Sequence, residues 1–236
     1  MSAPTFSVIV AAYESAGRIP LTLRSVLGQS RSDLELVVVD DGSEDETAEV
    51  VERMAQRDAR LRLIRQSNRG TAGARNRGIE DSRGRYLSFL DDDDLWLPTY
   101  LERVGAALAA DPSAGVGFCD AWVLDASSGR VGSRSALERF ARPIRRLPER
   151  IASSEALPAL LRVNFLTTCA TTVTREALEA AGPLDPSIRG ADDWDLWLRI
   201  VGEGFGMARV PERLAVLGKR PDSVGADARM MAANSA

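Results

Sequence analysis

Histidine is absent from this sequence of 236 residues, and lysine occurs once, at Lys219. Without histidine, serine–histidine–aspartate triads and HExxH zinc sites are excluded, so acid–base chemistry must come from carboxylates, tyrosines or that lysine. Cysteine is scarce too, because only Cys119 and Cys169 are present and they lie far apart. This spacing suggests neither a disulfide framework nor a zinc site, and it favours a reducing compartment.

Long hydrophobic runs are also missing. No apolar stretch approaches the roughly 20 residues that span a bilayer, and the first residues lack the basic and apolar segments of a signal peptide. The net charge of −4 argues against general nucleic-acid binding. We therefore expect a globular cytoplasmic protein that does not bind nucleic acid, with peripheral contact to the inner face of a membrane left open.

Short apolar strands alternate with amphipathic helices in the first half of the chain. Strands are predicted at Phe6–Ala12, Leu34–Val39, Leu61–Ile64, Tyr86–Leu90 and Gly115–Leu124. Helices are predicted from Ile19, from a capping box formed by Ser43 and Glu46, and from Pro98 to Ala110. This alternation predicts an α/β fold with right-handed crossovers and a largely parallel sheet.

The second half is less regular. Residues 125–158 show no clear periodicity, and because a stretch of that length is usually functional, we expect an acceptor-side loop there. Thr174 is predicted to cap a helix Arg175–Ala181 after a threonine-rich strand. A later helix, Ala191–Gly202, is predicted to turn Trp194 and Trp197 inward.

Neither an internal repeat nor a linker divides the chain. We expect a single domain over about 1–225, with one half at about 1–124 and the other at about 125–218. The residues 226–236 carry no pattern, and we expect a disordered tail there.

Four consecutive aspartates, Asp91 to Asp94, directly follow the predicted strand Tyr86–Leu90. Burying unpaired carboxylates is costly, and Mg²⁺ is typically held by one or two carboxylates together with substrate phosphates. An isolated acidic run is ordinarily a solvated loop. Because open α/β sheets bind ligands at the carboxyl ends of their strands, we interpret this run as a metal and nucleotide site.

Other polar groups are predicted at the same edge. Asp40 and Asp41 follow the second strand, and Tyr13, which follows the first, could stack on a base. A carboxylate there could accept the imide N–H of a uridine-like base.

The segment from Asn68 to Gly78 is rich in glycine and arginine. It contains neither G-x-G-x-x-G nor G-x-x-x-x-G-K-[ST], so dinucleotide-binding and P-loop folds are excluded. Its arginines Arg69, Arg75 and Arg77 could reach a phosphate or a base, and a solvated basic loop is the alternative interpretation.

Asp192 and Asp193 open the late helix. Asp192 as the N-cap would explain one of these carboxylates without any function. It would not explain Asp193, and an ionised carboxylate near the metal site could act as the general base for an incoming hydroxyl.

Five segments together resemble family 2 glycosyltransferases with the GT-A fold, in the same order, over roughly Phe6–Val216. They are Ser7–Glu14 (SVIVAAYE), Leu36–Ser43 (LVVVDDGS), Asn68–Gly78 (NRGTAGARNRG), Phe89–Trp96 (FLDDDDLW) and Asp192–Trp197 (DDWDLW). Each motif alone is weak, but five in order are highly specific. The resemblance implies a single domain with a Rossmann-like, mostly parallel central sheet flanked by helices and a smaller mixed acceptor-side part. It implies that the half at about 1–124 binds the nucleotide and that the half at about 125–218 is the acceptor side.

The resemblance also implies an enzyme that transfers a sugar from a nucleotide diphosphate donor with inversion, assisted by Mg²⁺ or Mn²⁺. On the nucleotide side, Tyr13 matches the residue that stacks on the base, with Ala11 and Glu14 beside it. Asp41 matches the carboxylate that binds the base N–H, and Arg75 is expected to contact the nucleotide.

Around the leaving group, the resemblance assigns Asp93, together with Asp91, to the metal. Asp91 and Asp92 match the contacts to ribose and diphosphate, and Asp94 is expected to face solvent. Asp193 matches the catalytic base, and Asp192 stands where the family usually has glutamate.

Two departures from the family are visible. Position 14 is glutamate where asparagine is common, and a histidine is missing from the run that corresponds to residues 218–223, Gly-Lys-Arg-Pro-Asp-Ser. Lys219 or Arg220 could contact the diphosphate instead, or a water could be the third metal ligand.

The implied partners are a UDP-, dTDP- or GDP-linked sugar and a glycan or lipid-linked glycan acceptor, as in polysaccharide biosynthesis. One alternative is a non-catalytic module that binds a nucleotide sugar or a glycan. Another is a sugar nucleotidyltransferase, which would carry a glycine-rich phosphate loop where Tyr13–Gly17 reads YESAG.

Overall fold

The computed structural model describes residues 4–125, 128–139 and 147–219. The strands are β1 (Phe6–Ala12), β2 (Leu34–Asp40), β3 (Leu61–Arg65), β4 (Tyr86–Asp91), β5 (Leu95–Trp96), β6 (Ala114–Asp125), β7 (Arg130–Ser135), β8 (Arg150–Ile151), β9 (Thr171–Thr174) and β10 (Gly206–Lys219). The helices are α1 (Ile19–Leu27), α2 (Thr47–Ala55), α3 (Gly70–Asp81), α4 (Tyr100–Ala110), α5 (Ser153–Arg162), α6 (Arg175–Ala181) and α7 (Asp192–Gly202). Short 3₁₀ turns lie at Leu137–Arg139 and Thr168–Ala170.

The central strands are buried on both faces, as their uninterrupted β-branched runs predict. In β1, Val8, Ile9 and Val10 are all fully buried, and they contribute to separate hydrophobic clusters on the two sides of the sheet. Helix α1 is amphipathic and turns Leu23 and Val26 toward the sheet. Burial on both faces leaves only the ends of the central strands for chemistry.

The sheet runs in the order β3-β2-β1-β4-β9-β6-β10-β5, with β7 paired to β6 and β8 paired to β10. Strands β3, β2, β1 and β4 are mutually parallel. Strand β9 is antiparallel to both β4 and β6, so β6 and its parallel partner β10 run in the same direction as β4. A mostly parallel α/β sheet with a mixed far half is therefore confirmed.

The parallel register brings the ends of three strands together. Ala12 of β1 lies beside Asp40 of β2, and Ala11 lies beside Asp91 at the end of β4. The residues that follow these strands therefore emerge at one edge, as the sequence predicted.

Two local predictions were wrong. Residues 125–158 are not one long loop, because the described part contains β7, a 3₁₀ turn, β8 and the start of α5. The strands are short and α5 contains Pro158, which explains the weak periodicity. The capping box was also wrong, because the Ser43 hydroxyl accepts from the Glu14 N–H and the Asp45 carboxylate instead accepts from the Thr47 N–H.

Of the remaining predictions about the fold, one is confirmed and two are not tested. Thr174 caps α6 by accepting from the Ala177 N–H, as predicted. The predicted tail at 226–236 lies outside the described residues, and the division into two halves stays a prediction. Within the described ranges, no helix combines the length and apolar character needed to cross a bilayer.

Candidate active site

The acidic run is tightly paired at its start. Asp91 ends β4 with its side chain 41% exposed and accepts from the Arg75 guanidinium at 2.7 Å. Asp92 is buried, and its two carboxylate oxygens accept from the Nε and Nη2 of Arg18 at 2.9 and 3.0 Å. The predicted contact of Asp92 with ribose or diphosphate stays a prediction, and it would share this carboxylate with Arg18.

The second half of the run packs against the end of β10. Gly218 approaches so closely that a Cβ there would lie 2.6 Å from the Asp93 carbonyl oxygen, and its N–H donates to the Asp94 carboxylate at 2.7 Å. Asp94 is buried rather than facing solvent, so that prediction was wrong. Burial, together with the charges of Asp91 and Asp93, raises the pKa of Asp94 well above its usual range.

On the nucleotide side, Tyr13 and Asp41 are placed differently. The Tyr13 side chain is exposed, which leaves its ring accessible to a base. Asp41 is buried, and one of its oxygens accepts from the Gln66 amide and from the Arg69 backbone N–H, each at 2.8 Å. A carboxylate offers about four lone-pair positions, so Asp41 retains capacity to accept a further N–H.

Glu14 has an unusual backbone conformation, with a φ of 48°. Asparagine tolerates this left-handed region better than glutamate, which gives a physical reason for the residue common in the resembling family. Here the Glu14 carboxylate accepts from the Glu44 N–H at 2.6 Å, and its own N–H donates to Ser43. These bonds stabilise the strained turn and tie the loop after β1 to the loop after β2.

Arg75 bridges the two ends of the site. Its buried guanidinium contacts Asp91 at 2.7 Å and Asp192 at 3.1 Å. Burial opposes the charge, but the carboxylates of Asp91, Asp192 and Asp193 raise the pKa of Arg75 above its ordinary value. A solvated loop is therefore the wrong interpretation for Arg75, although Arg69 and Arg77 are exposed and Arg77 pairs with Asp81.

Asp192 and Asp193, at the start of α7, have different hydrogen-bond partners. Asp192 is not the N-cap, since Ala191 takes that position without a side-chain bond, and Asp192 is instead held by Arg75. Burial raises the pKa of Asp192, while the Arg75 charge opposes that rise. Asp193 is half-buried, and its oxygens accept from the Thr168 hydroxyl at 2.7 Å and the Trp194 N–H at 2.6 Å.

The two tryptophans of α7 also differ. Trp197 is fully buried and packs against Phe89, so its core placement is confirmed. Trp194 is half-buried and donates its indole N–H to the Leu160 carbonyl. Of the predicted diphosphate contacts, Lys219 is exposed at the end of β10, and Arg220 lies outside the described residues.

The carboxylates fit a divalent cation only if the substrate completes its shell. Among the described residues, no group of three or more carboxylates or cysteines is arranged to hold an ion by itself. Asp91 and Asp93 supply hard oxygen donors, and both carboxylates lie close enough to Asp94 to add to the effect of burial in raising its pKa. Two carboxylates plus substrate phosphates is the usual arrangement for Mg²⁺.

Sequence reasoning missed Arg18 and Thr168, which contact Asp92 and Asp193. Arg18 is the first basic residue after β1, and that position beside a predicted acidic edge was the available signal. Thr168 had no signal beyond its place in a threonine-rich segment, because its contact depends on a helix much later in the chain.

Most of the chain matches a known protein family. Residues 7–177 match the family model described as Glycosyl transferase family 2. TuaG of Bacillus subtilis (strain 168), provisionally named a teichuronic acid biosynthesis glycosyltransferase, is 31% identical over 214 residues, which are 90% of this chain and 78% of TuaG. The chain belongs to glycosyl transferase family 2, and the resemblance is confirmed.

Solved structures agree on the fold. The mannosyltransferase PcManGT from Pyrobaculum calidifontis, in complex with GDP-Man and Mn²⁺, superposes with a TM-score of 0.71 at 26% identity over 95% of this chain and 59% of PcManGT. Some relatives are much longer than this chain. EpsJ of Bacillus subtilis (strain 168), an uncharacterized glycosyltransferase, is 44% identical over 101 residues, which are 43% of this chain but 29% of EpsJ.

Proposed function

We propose that this protein is an inverting, divalent-metal-dependent glycosyltransferase. It moves a sugar from a UDP-, dTDP- or GDP-linked donor to a hydroxyl of a glycan or lipid-linked glycan, in the cytoplasm or at the inner face of the membrane. The observation that carries the proposal is the Arg75 bridge, which joins the acidic run at Asp91 to the start of α7 at Asp192. The bridge holds Asp91 of the acidic run close to Asp192, which is next to the candidate base Asp193.

Donor binding uses the edge formed by β1, β2 and β4. The exposed ring of Tyr13 stacks on the base, with Ala11 and Glu14 beside it, and Asp41 accepts the base N–H. Asp92 contributes to the ribose and diphosphate contacts together with Asp91. Lys219, exposed at the end of β10, and Arg220, the next residue in the sequence, contact the diphosphate.

Asp93 and Asp91 hold Mg²⁺ or Mn²⁺, which when bound supplies Lewis-acid stabilisation of the charge on the departing diphosphate. Asp193 removes the proton from the acceptor hydroxyl as that oxygen bonds to the anomeric carbon. The bond from the anomeric carbon to the diphosphate oxygen breaks on the opposite face, so the configuration inverts. Asp193 lies in the first turn of α7, at the end of a helix where negative charge is favourable.

Two features of relatives support the proposal. PcManGT is described with GDP-Man and Mn²⁺, which is the combination of nucleotide sugar and divalent metal proposed here. TuaG is named for the biosynthesis of teichuronic acid, a polysaccharide, which is consistent with a glycan acceptor.

The local structure argues against a sugar nucleotidyltransferase. Such an enzyme would use a basic residue after β1 to bind phosphate, and Arg18 is instead engaged by Asp92 and by the carbonyls of Tyr13 and Glu14. A non-catalytic binding module would bind donor but release no nucleotide diphosphate from it over long incubation, whereas the proposed enzyme shows slow donor hydrolysis.

Asp93→Ala is expected to abolish metal-dependent donor binding. Loss of even an outer-shell partner of a metal site costs roughly 10–100-fold in affinity, and we expect at least that effect from a direct ligand. The measurement is calorimetric titration with UDP, GDP and dTDP in the presence of Mn²⁺. Asp58→Ala is the matched control, because Asp58 pairs with Arg60 at the opposite edge of the sheet. Unchanged Mn²⁺-dependent affinity in Asp93→Ala would remove Asp93 from the metal site.

A further inference from the structure

The 3₁₀ turn Thr168–Ala170 contacts both halves of the candidate site. Its first residue, Thr168, donates its hydroxyl to the Oδ2 of Asp193 at 2.7 Å. Its second residue, Cys169, accepts the indole N–H of Trp96 on its carbonyl at 2.6 Å. Trp96 lies just beyond the acidic run, so one short turn reaches from the candidate base to the leaving-group side.

A second contact places the turn against the acidic run. The thiol of Cys169 lies close to the Asp94 carboxylate, and both side chains are buried. Burial, together with the charge of that carboxylate, raises the pKa of Cys169 well above its usual range. Cys169 therefore lies beside Asp94 and bonds to Trp96, the residues on each side of Leu95.

The central sheet also fixes the position of the turn. It leads directly into β9, whose Thr171 and Thr172 lie in register with Phe118 of β6 and Ser88 of β4. The Thr171 hydroxyl further donates to the Thr167 carbonyl at 2.8 Å, which closes the turn on itself. A segment fixed to two neighbouring strands and to the acidic run has little freedom to move Thr168.

Asp193 needs such support because its own helix fixes only one side of its carboxylate. Oδ1 accepts from the Trp194 N–H of α7, whereas Oδ2 is oriented by Thr168. Both bonds together set the rotation of the carboxylate. The remaining lone pairs can still accept the proton of an acceptor hydroxyl.

We propose that Thr168 is a positioning residue for the base Asp193, and that the turn Thr168–Ala170 sets the separation between this base and the leaving-group residues. The inference rests on the proposed function. Thr168 acts through Asp193 and does not touch the diphosphate. Its loss therefore affects the chemical step, in which the acceptor is deprotonated, more than the binding of donor.

The test replaces the hydroxyl of Thr168 while keeping its shape. Thr168→Val is expected to lower kcat by roughly 10- to 100-fold, because small misplacements of a catalytic group can cost about that much. The KM for donor is expected to stay unchanged, and Thr168→Ser, which keeps the donor, is expected to restore kcat. Turnover is followed as release of nucleotide diphosphate from UDP-, GDP- and dTDP-linked sugars in the presence of Mn²⁺, with water as acceptor.

Thr174→Val is the matched control. It makes the same substitution at the other end of β9 and removes the cap of α6 at Ala177, so it is expected to lower the Tm without changing kcat. An unchanged kcat in Thr168→Val, with normal wild-type turnover, would overturn the inference and leave the proposed function standing. A loss of kcat that Thr168→Ser does not restore, or that Thr174→Val shares, would overturn it as well. Absence of wild-type turnover with every donor would overturn the proposed function and this inference with it.

Discussion

Replacing Asp193 by asparagine is expected to lower kcat by about 10²–10⁴-fold while donor binding persists. The amide cannot take a proton from the acceptor, but it keeps the size of the side chain and one oxygen for the Thr168 hydroxyl. Donor affinity should survive because the predicted nucleotide and metal residues lie at the ends of β1, β2 and β4. The measurements are steady-state kinetics and calorimetric titration of the same preparation.

Asp195→Asn is the control for this experiment. Asp195 lies in the same first turn of α7 and carries the same charge, but it pairs with Arg199 one turn later. Its replacement is expected to leave kcat unchanged. Loss of donor binding with turnover intact in Asp193→Asn would contradict the assignment of the base, and so would an equal loss of turnover in Asp195→Asn.

Arg75→Met is expected to destabilise the protein by about 3–5 kcal/mol, the usual cost of breaking a buried ion pair by removing one partner. Methionine fills similar volume, but it leaves the buried carboxylate of Asp192 without its cation. The same change removes the charge that faces Asp91 and Asp193. The measurement is the free energy of unfolding from urea titration, compared at equal m-values.

Two further variants separate the buried bridge from general effects of charge. Arg77, two residues after Arg75, forms an exposed pair with Asp81, and Arg77→Met removes it. An exposed helical pair of this kind is worth only about 0.3–0.5 kcal/mol. The double variant Arg75→Met/Asp192→Asn is expected to regain part of the lost stability, because it also removes the stranded charge. A free energy of unfolding for Arg75→Met equal to that of Arg77→Met would contradict the structural role of the bridge.

The nucleotide half of the fold was predictable because local patterns determine it. Buried β-branched runs placed β1, β2 and β4 close to their observed bounds, and helical periodicity placed the start of α1. The glycine- and arginine-rich segment Asn68–Gly78 was not predicted to be helical, but most of it lies in α3. Parallel crossovers then require that Tyr13, Asp41 and Asp91 emerge at one edge. Convergence of these residues therefore followed from sequence and topology alone.

The roles inside the acidic run were less predictable, because they depend on contacts between distant parts of the chain. Asp94 is buried where the end of β10 packs against it, and its carboxylate accepts from the N–H of Gly218, 124 residues later. Arg75 pairs with Asp192 across 117 residues, and no local pattern separates it from the exposed Arg77. The Ser43 hydroxyl could accept from the start of α2 or from another loop, and the sequence does not show which. It accepts from the Glu14 N–H and does not cap α2.

The most direct test of the account is thermal denaturation of the wild-type protein with UDP-, GDP- and dTDP-linked sugars, each with and without Mn²⁺. A ligand that binds only the folded state raises the Tm, and the shift grows with the ratio of the ligand concentration to its Kd. We expect at least one nucleotide sugar to raise the Tm, and we expect this shift to require Mn²⁺. No shift with any donor, with or without Mn²⁺, would contradict the proposed nucleotide-sugar site.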